Sequence, residues 1–224
     1  MQEDAIVPAN PLEHVIYKIR NARILEYPFP HFFVENVFPD DFYWDFLASL
    51  PSDENYSNDM GSYANRVFAK PDDPDFAPFY DKRFTANVCK TFKDGFRHRF
   101  PDGTASLSSE WRLVRDSEGY SIGPHTDAKW KVISLLFYLP WDKSDVDAGT
   151  SIYLPKDSGF TCPGGPHYNE QGFEKVWTAP FIPNSCFGFW KTDNSWHGVS
   201  EIQRKIRRDV LLFNVYEANS QKQS

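Results

Sequence analysis

His125 and Asp127 stand two positions apart in Ser121-Ile-Gly-Pro-His-Thr-Asp-Ala-Lys-Trp-Lys-Val-Ile-Ser-Leu-Leu-Phe-Tyr-Leu-Pro140, just ahead of an apolar run rich in β-forming residues. In extended backbone, residues i and i+2 share a face, so an imidazole and a carboxylate at this spacing can converge on one point. The pair is two thirds of the two-histidine, one-carboxylate set that holds non-haem Fe(II). His-x-Asp alone is a weak signal, and its plain alternative is a loop histidine beside a solvated aspartate. A third ligand candidate lies in Lys191-Thr-Asp-Asn-Ser-Trp-His-Gly-Val199. His197 follows Asp127 by 70 positions (197 − 127 = 70), enough to cross several strands and return to the same mouth. Arg207 and Arg208 come ten and eleven positions later (207 − 197 = 10; 208 − 197 = 11), opening the final segment Asp209-Val-Leu-Leu-Phe-Asn-Val-Tyr216. An arginine at the start of a buried strand needs an anion, because an unpaired buried charge is costly. A dicarboxylate ligand would supply one through a bidentate contact.

The elements that must position these residues change character near Ala105. Beyond it, short apolar segments alternate with Gly, Pro, Asn and Asp: Trp111 to Val114, Lys131 to Leu139, Gly149 to Leu154, Phe173 to Trp177, Ser185 to Trp190 and Asp209 to Tyr216. That cadence predicts a β-sandwich or barrel. Ahead of it, His14 to Arg23 reads as a short helix or a strand, and residues 31–37 as an extended strand bounded by prolines. Asp40-Asp41 can cap a helix running to about Leu50, with Phe42, Phe46, Leu47 and Leu50 on one stripe. Residues 52–78 read as a long loop with a short strand near 62–68. Phe84, Val88, Phe92 and Phe96, four apart, predict an amphipathic helix within 79–100. We expect one domain over 1–224, with N-terminal helical support to about 104 and a β core at about 105–217.

Composition narrows the function classes. At 224 residues, with 41% hydrophobic and 17% aromatic residues, the chain can bury a substantial core. A net charge of −7 argues against general nucleic-acid or anionic-membrane binding, which needs a basic field. Three dispersed cysteines (Cys89, Cys162, Cys186) without a Cys-x-x-Cys pair read as reduced thiols of a cytoplasmic protein. No signal-like opening and no run of 18 apolar residues is present, so neither export nor a membrane span is expected.

Taken in order, His125-x-Asp127, Ser134-Leu-Leu-Phe-Tyr-Leu-Pro140, Gly149-Thr-Ser-Ile-Tyr-Leu-Pro155, His197 and Arg208 resemble the Fe(II)/2-oxoglutarate-dependent dioxygenases, prolyl-hydroxylase-like branch. The resemblance runs from Pro28-Phe-Pro-His-Phe-Phe-Val-Glu-Asn-Val-Phe-Pro39 to Tyr216 and is most specific in the C-terminal half. It implies a mainly β chain with flanking N-terminal helices around a double-stranded β-helix (jelly-roll, cupin-like) core. It implies Fe(II) on His125, Asp127 and His197, with 2-oxoglutarate as cosubstrate, O2 as oxidant and ascorbate as a supporting reductant. Succinate and CO2 would be released as a substrate C–H bond is oxidised.

By the same resemblance, Tyr138 would meet the distal carboxylate of 2-oxoglutarate, with Ser134 and Leu136 on the same strand face. Arg208 is the better anchor than Arg207: an inward Arg207 brings Asp209 with it, whereas Arg208 brings Val210, Leu212 and Asn214. Lys131 reads as a solvated strand start and His167 as a loop residue. Arg112, Arg115 and Tyr120 could contact the oxo-acid end or a substrate anion. Relatives that halogenate lack the carboxylate at the position of Asp127, so its presence implies hydroxylation or a related oxidation rather than halogenation. The expected substrate is a small metabolite, sugar or natural-product intermediate. The alternatives are a peptidyl-prolyl or other protein side-chain hydroxylase and, from another class, a non-catalytic cupin-type binding protein.

Overall fold

The structure, a computed structural model, describes residues 10–58, 63–69 and 107–217. The helix expected within 79–100 lies outside the described residues, as does Cys89. The first helix, α1 (Pro11–Arg20), starts where Asn10 accepts the backbone N–H groups of Leu12 and Glu13 and Pro11 fills the first turn. That placement resolves the helix-or-strand ambiguity. The second, α2 (Asp40–Ala48), differs in its start from the sequence reading. Pro39 is the N-cap and no side chain caps it, while Asp40 and Asp41 sit in the first turn, where the helix dipole favours negative charge.

Two antiparallel sheets carry the rest. The larger contains β1 (His31–Glu35), β2 (Tyr56–Ser57), β3 (Arg66–Ala69), β4 (Leu107–Asp116), β6 (Lys131–Tyr138), β9 (Ser185–Trp190) and β11 (Arg208–Glu217), in the order β1-β9-β6-β11-β4-β3-β2. The smaller contains β5 (Ile122–His125), β7 (Ser151–Pro155), β8 (Phe173–Thr178) and β10 (His197–Val199), in the order β5-β10-β7-β8. The chain is thus mainly β, two sheets face to face with helices on one side. All six expected C-terminal segments are strands. β5 and β10 were not foreseen, being four and three residues long and carrying Gly123, Pro124 and Gly198, which have poor strand propensity.

Strand alternation divides β6 and β11 between two compartments. Ile133, Leu135 and Phe137 of β6 and Leu211, Phe213 and Val215 of β11 join Val15, Ile19, Phe46 and Leu47 in a core under the helices. Tyr138 and Val210 face the other way, into the space between the sheets with Phe187, Phe189 and Ile152. Ser134, Leu136, Arg208, Leu212 and Asn214 share that inward face and line a cavity there.

Candidate metal centre

His125 ends β5 and His197 opens β10, and the register sets the two residues opposite each other with ring centroids 4.3 Å apart. Gly198 makes that pairing feasible: a Cβ there would come within 2.5 Å of the Ile122 carbonyl oxygen and 3.0 Å of that of Gly123. Asp127 follows in the turn leading to β6. One ligand atom from each of His125, Asp127 and His197 lies within 4.8 Å of the others.

Hydrogen bonds fix which atoms face the site. His125 Nδ1 lies 2.9 Å from the Gly123 carbonyl oxygen and His197 Nδ1 2.8 Å from that of Ser195. A carbonyl only accepts, so each Nδ1 carries the proton and each Nε2 offers a lone pair to the centre. Burial pushes both imidazoles below their ordinary pKa, His125 the further, which keeps them neutral and able to ligate. Burial would raise Asp127, but the Lys131 ammonium and the neighbouring imidazoles outweigh it and hold the carboxyl well below the usual range. Lys131 Nζ donates to Asp127 Oδ1 at 2.8 Å and Ser134 Oγ to Oδ2 at 2.7 Å. Lys131 is therefore a largely buried partner of the carboxylate, not the solvated strand start expected from the sequence. An ionised carboxylate and two neutral imidazoles, each held by a second bond, form a donor set that fits a divalent first-row metal ion.

The cavity, about 200 Å³, runs from this centre to a cationic far end. Arg208 is 1% exposed there; its Nη1 lies 2.5 Å from Asp116 Oδ2 and its Nε donates to the Ala148 carbonyl at 2.6 Å. Arg66 approaches the same carboxylate, Nε to Oδ1 at 2.6 Å and Nη2 to Oδ2 at 2.8 Å. The anion that Arg208 needs is thus first of all a protein carboxylate, where the sequence reading looked to a dicarboxylate ligand. Two guanidiniums on one carboxylate still leave one net positive charge facing the cavity. Arg207 points to the opposite face, half-exposed, with Nε 2.6 Å from Asp209 Oδ2, so only Arg208 of the two reaches the cavity.

Tyr138 departs from its expected place. It is fully buried, its hydroxyl accepts the Thr150 N–H at 2.9 Å, and it packs on Phe181 behind Arg208 instead of lining the cavity. Arg115 also turns away, pairing with Asp209 and Asp53. Arg112 does line the cavity, near the metal end with Asn214 and Tyr216, and its Nε lies 2.8 Å from Glu110 Oε1. His167 is not one of the three clustered ligands but stands against them, its ring 4.5 Å from that of His125 and stacked on Tyr63 at 5.8 Å. Trp190, Trp196 and Tyr153 are buried in core clusters. Sequence reasoning missed Arg66 and Asp116, neither of which sits in a recognisable motif; their only signal was charge at the inward positions of apolar strands.

No family model matches the chain, and no curated protein matches it. Solved structures do. A prolyl-4-hydroxylase from Pseudomonas putida superposes with a TM-score of 0.58 at 11% identity, covering 92% of this chain and 98% of that one. A Trichoplax adhaerens prolyl hydroxylase, solved with a hypoxia inducible factor peptide fragment, gives 0.54 at 11% identity over 95% and 92%. The fold is that of the 2-oxoglutarate oxygenases. The same fold appears in SnoN, a non-haem α-ketoglutarate-dependent epimerase of nogalamycin biosynthesis (TM-score 0.55, 14% identity, 92% and 81% covered). It appears again in HygX from Streptomyces hygroscopicus, solved with nickel and 2-oxoglutarate (0.52, 12%, 84% and 83%). In this double-stranded β-helix, the three clustered candidate ligands lie at one end of the cavity between the sheets and Arg66 and Arg208 at the other.

Proposed function

We propose that this chain is an Fe(II)- and 2-oxoglutarate-dependent oxygenase that hydroxylates a small molecule. The observation that carries the reading is the centre itself: two imidazoles with Nδ1 tied to carbonyls, and one ionised carboxylate, all aimed at a single point inside this fold. A non-catalytic binding barrel has no need of that set together with a buried arginine at the opposite end of the same cavity.

His125, Asp127 and His197 would hold the iron, and Arg208, assisted by Thr150, would hold the far carboxylate of the cosubstrate. When bound, iron and 2-oxoglutarate supply the activation of O2, with the cosubstrate leaving as succinate and CO2. The chain's own contribution is positional. Ser134 and Lys131 keep the Asp127 carboxylate oriented and ionised, and Tyr138 supports Arg208 from behind through the Thr150 backbone. Leu136, Leu212 and Phe189 give the cavity apolar walls that limit water between the two ends. Asp127 occupies the place a halide would require, which favours hydroxylation.

The structures of this fold named above include one solved with a peptide and one from the biosynthesis of nogalamycin. The small-molecule reading is supported by the stacking of Tyr63, which lines the cavity, on His167, whose ring stands against that of His125, so that two loops meet beside the candidate centre. The free buried thiols Cys162 and Cys186 suit the cytoplasmic setting that we propose. A succinate-release screen of the Fe(II)-loaded protein against metabolite and peptide pools tests the assignment. Substrate-stimulated succinate from the metabolite pool is expected. Stimulation by peptides alone overturns the substrate class, and no 2-oxoglutarate turnover in any pool overturns the activity.

A further inference from the structure

Tyr120 is buried at 0% exposure, yet its hydroxyl has no hydrogen-bond partner among the described residues. A buried polar group without a partner is costly, so a fold that keeps one in a cavity wall implies a ligand atom that completes it. Tyr120 lines the same cavity as Arg66, Thr150 and Arg208, and the Arg66 guanidinium lies over its ring at 4.3 Å. Both arginines converge on Asp116, which is 0% exposed and accepts from each of them. The neighbourhood therefore holds one uncompensated positive charge, one unused hydroxyl donor and the Thr150 hydroxyl, 3.5 Å from Arg208 Nη2. Such a set matches a single carboxylate.

We infer that Tyr120 and Arg66 complete the subsite for the far carboxylate of the cosubstrate, with Asp116 acting as the spacer that holds the two guanidiniums apart. The inference rests on the oxygenase reading and adds to it two residues outside the usual motif. Arg66 comes from β3, between β4 and the edge strand β2 of the large sheet, so the N-terminal part of the chain contributes directly to cosubstrate selection. Tyr120 is the tyrosine that lines the cavity, whereas Tyr138, to which the resemblance had given the hydroxyl role, lies outside its wall and accepts the Thr150 N–H. A ligand whose far end is neutral would leave both the charge and the hydroxyl without partners, so the subsite selects a dicarboxylic oxo-acid over a monocarboxylic one.

The test is an anaerobic titration of the Fe(II)-loaded protein with 2-oxoglutarate and, separately, with 2-oxopentanoate, which keeps the chelating head and lacks the far carboxylate. The visible charge-transfer band of each complex is the readout. Tyr120→Phe should weaken 2-oxoglutarate by about tenfold, the worth of one hydrogen bond to a charged group, while leaving 2-oxopentanoate unchanged. Because the substitution removes only an unpartnered hydroxyl, the ligand-free protein should melt no lower than wild type. Arg66→Lys should show the same discrimination. Unchanged 2-oxoglutarate affinity in Tyr120→Phe, or equal weakening of both acids, overturns the inference and leaves the metal assignment standing. Absence of a band for wild type with either acid overturns both.

Discussion

Strands β6 and β11 carry two different proteins on their two faces. On one, Ile133, Leu135, Phe137, Leu211, Phe213 and Val215 are almost wholly buried against α1, α2 and their neighbours, with no polar side chain among them. On the other, the same strands present Ser134, Leu136, Arg208, Leu212 and Asn214 to a cavity that ends in three potential metal ligands. Because a strand alternates with period two, the two faces are chemically independent but mechanically one object. The apolar face fixes where the polar face stands. A one-residue slip would exchange them, placing Arg207 and Asp209 in the cavity and Arg208 under the helices.

If the faces divide stability from chemistry, substitutions on each should move different observables. The largest effect belongs to the ligands: His125→Ala or Asp127→Ala should lower 2-oxoglutarate turnover by about 100-fold or more while the protein still folds cooperatively, as enzyme assay and thermal melting together would show. Near-wild-type turnover in either variant would mean that the ligands are misassigned. Next, Phe137→Ala or Phe213→Ala on the helix-facing side should cost about 3–5 kcal/mol in denaturant unfolding, with cosubstrate affinity per folded molecule unchanged. Arg208→Ala crosses the boundary. It leaves Asp116 with only Arg66, so it should destabilise by about 3–5 kcal/mol and also raise the 2-oxoglutarate requirement. Arg207→Ala, losing a half-exposed pair, should change stability by about 0–1 kcal/mol and the requirement hardly at all. The reverse ranking of the two arginines would reverse the assignment of faces.

The smallest effect is the pH dependence. Burial depresses His31, His125 and His197 below the ordinary value of about 6.5. On acidification the unfolded chain takes up protons at these positions before the folded one does, so stability should fall as pH drops below about 6.5. Asp127, held low in the fold, works in the same direction further down, its contribution being lost below its ordinary value near 4. Urea midpoints of the metal-free protein at pH 7.5 and 5.5 check the sign; a higher midpoint at 5.5 would contradict it.

What the sequence disclosed and what it withheld follow from range. The apolar strands were legible because burial imposes its pattern locally, and the inward orientation of Arg208 followed from the parity of its companions Val210, Leu212 and Asn214. The three clustered candidate ligands could be named because His-x-Asp and a downstream histidine keep their order. β5 and β10 were illegible, since both are short, Gly123 and Gly198 serve close backbone approach and not propensity, and Pro124 has poor strand propensity. The pairing of Arg66 with Asp116, 50 positions apart, and the role of Lys131 against Asp127 depend on which strands become neighbours, and no local pattern encodes that. Tyr138 shows the opposite hazard: its face was read correctly, but one step too far along β6 it lies beside the cavity and not in its wall.

The central claim is that His125, Asp127 and His197 form one iron site able to chelate a 2-oxo acid opposite Arg208. Its most direct test is anaerobic addition of Fe(II) and saturating 2-oxoglutarate to wild type and to Asp127→Ala, followed by visible absorption. The account predicts a weak charge-transfer band in wild type that is lost in the variant. No band in wild type, or an equal band in both, would contradict it.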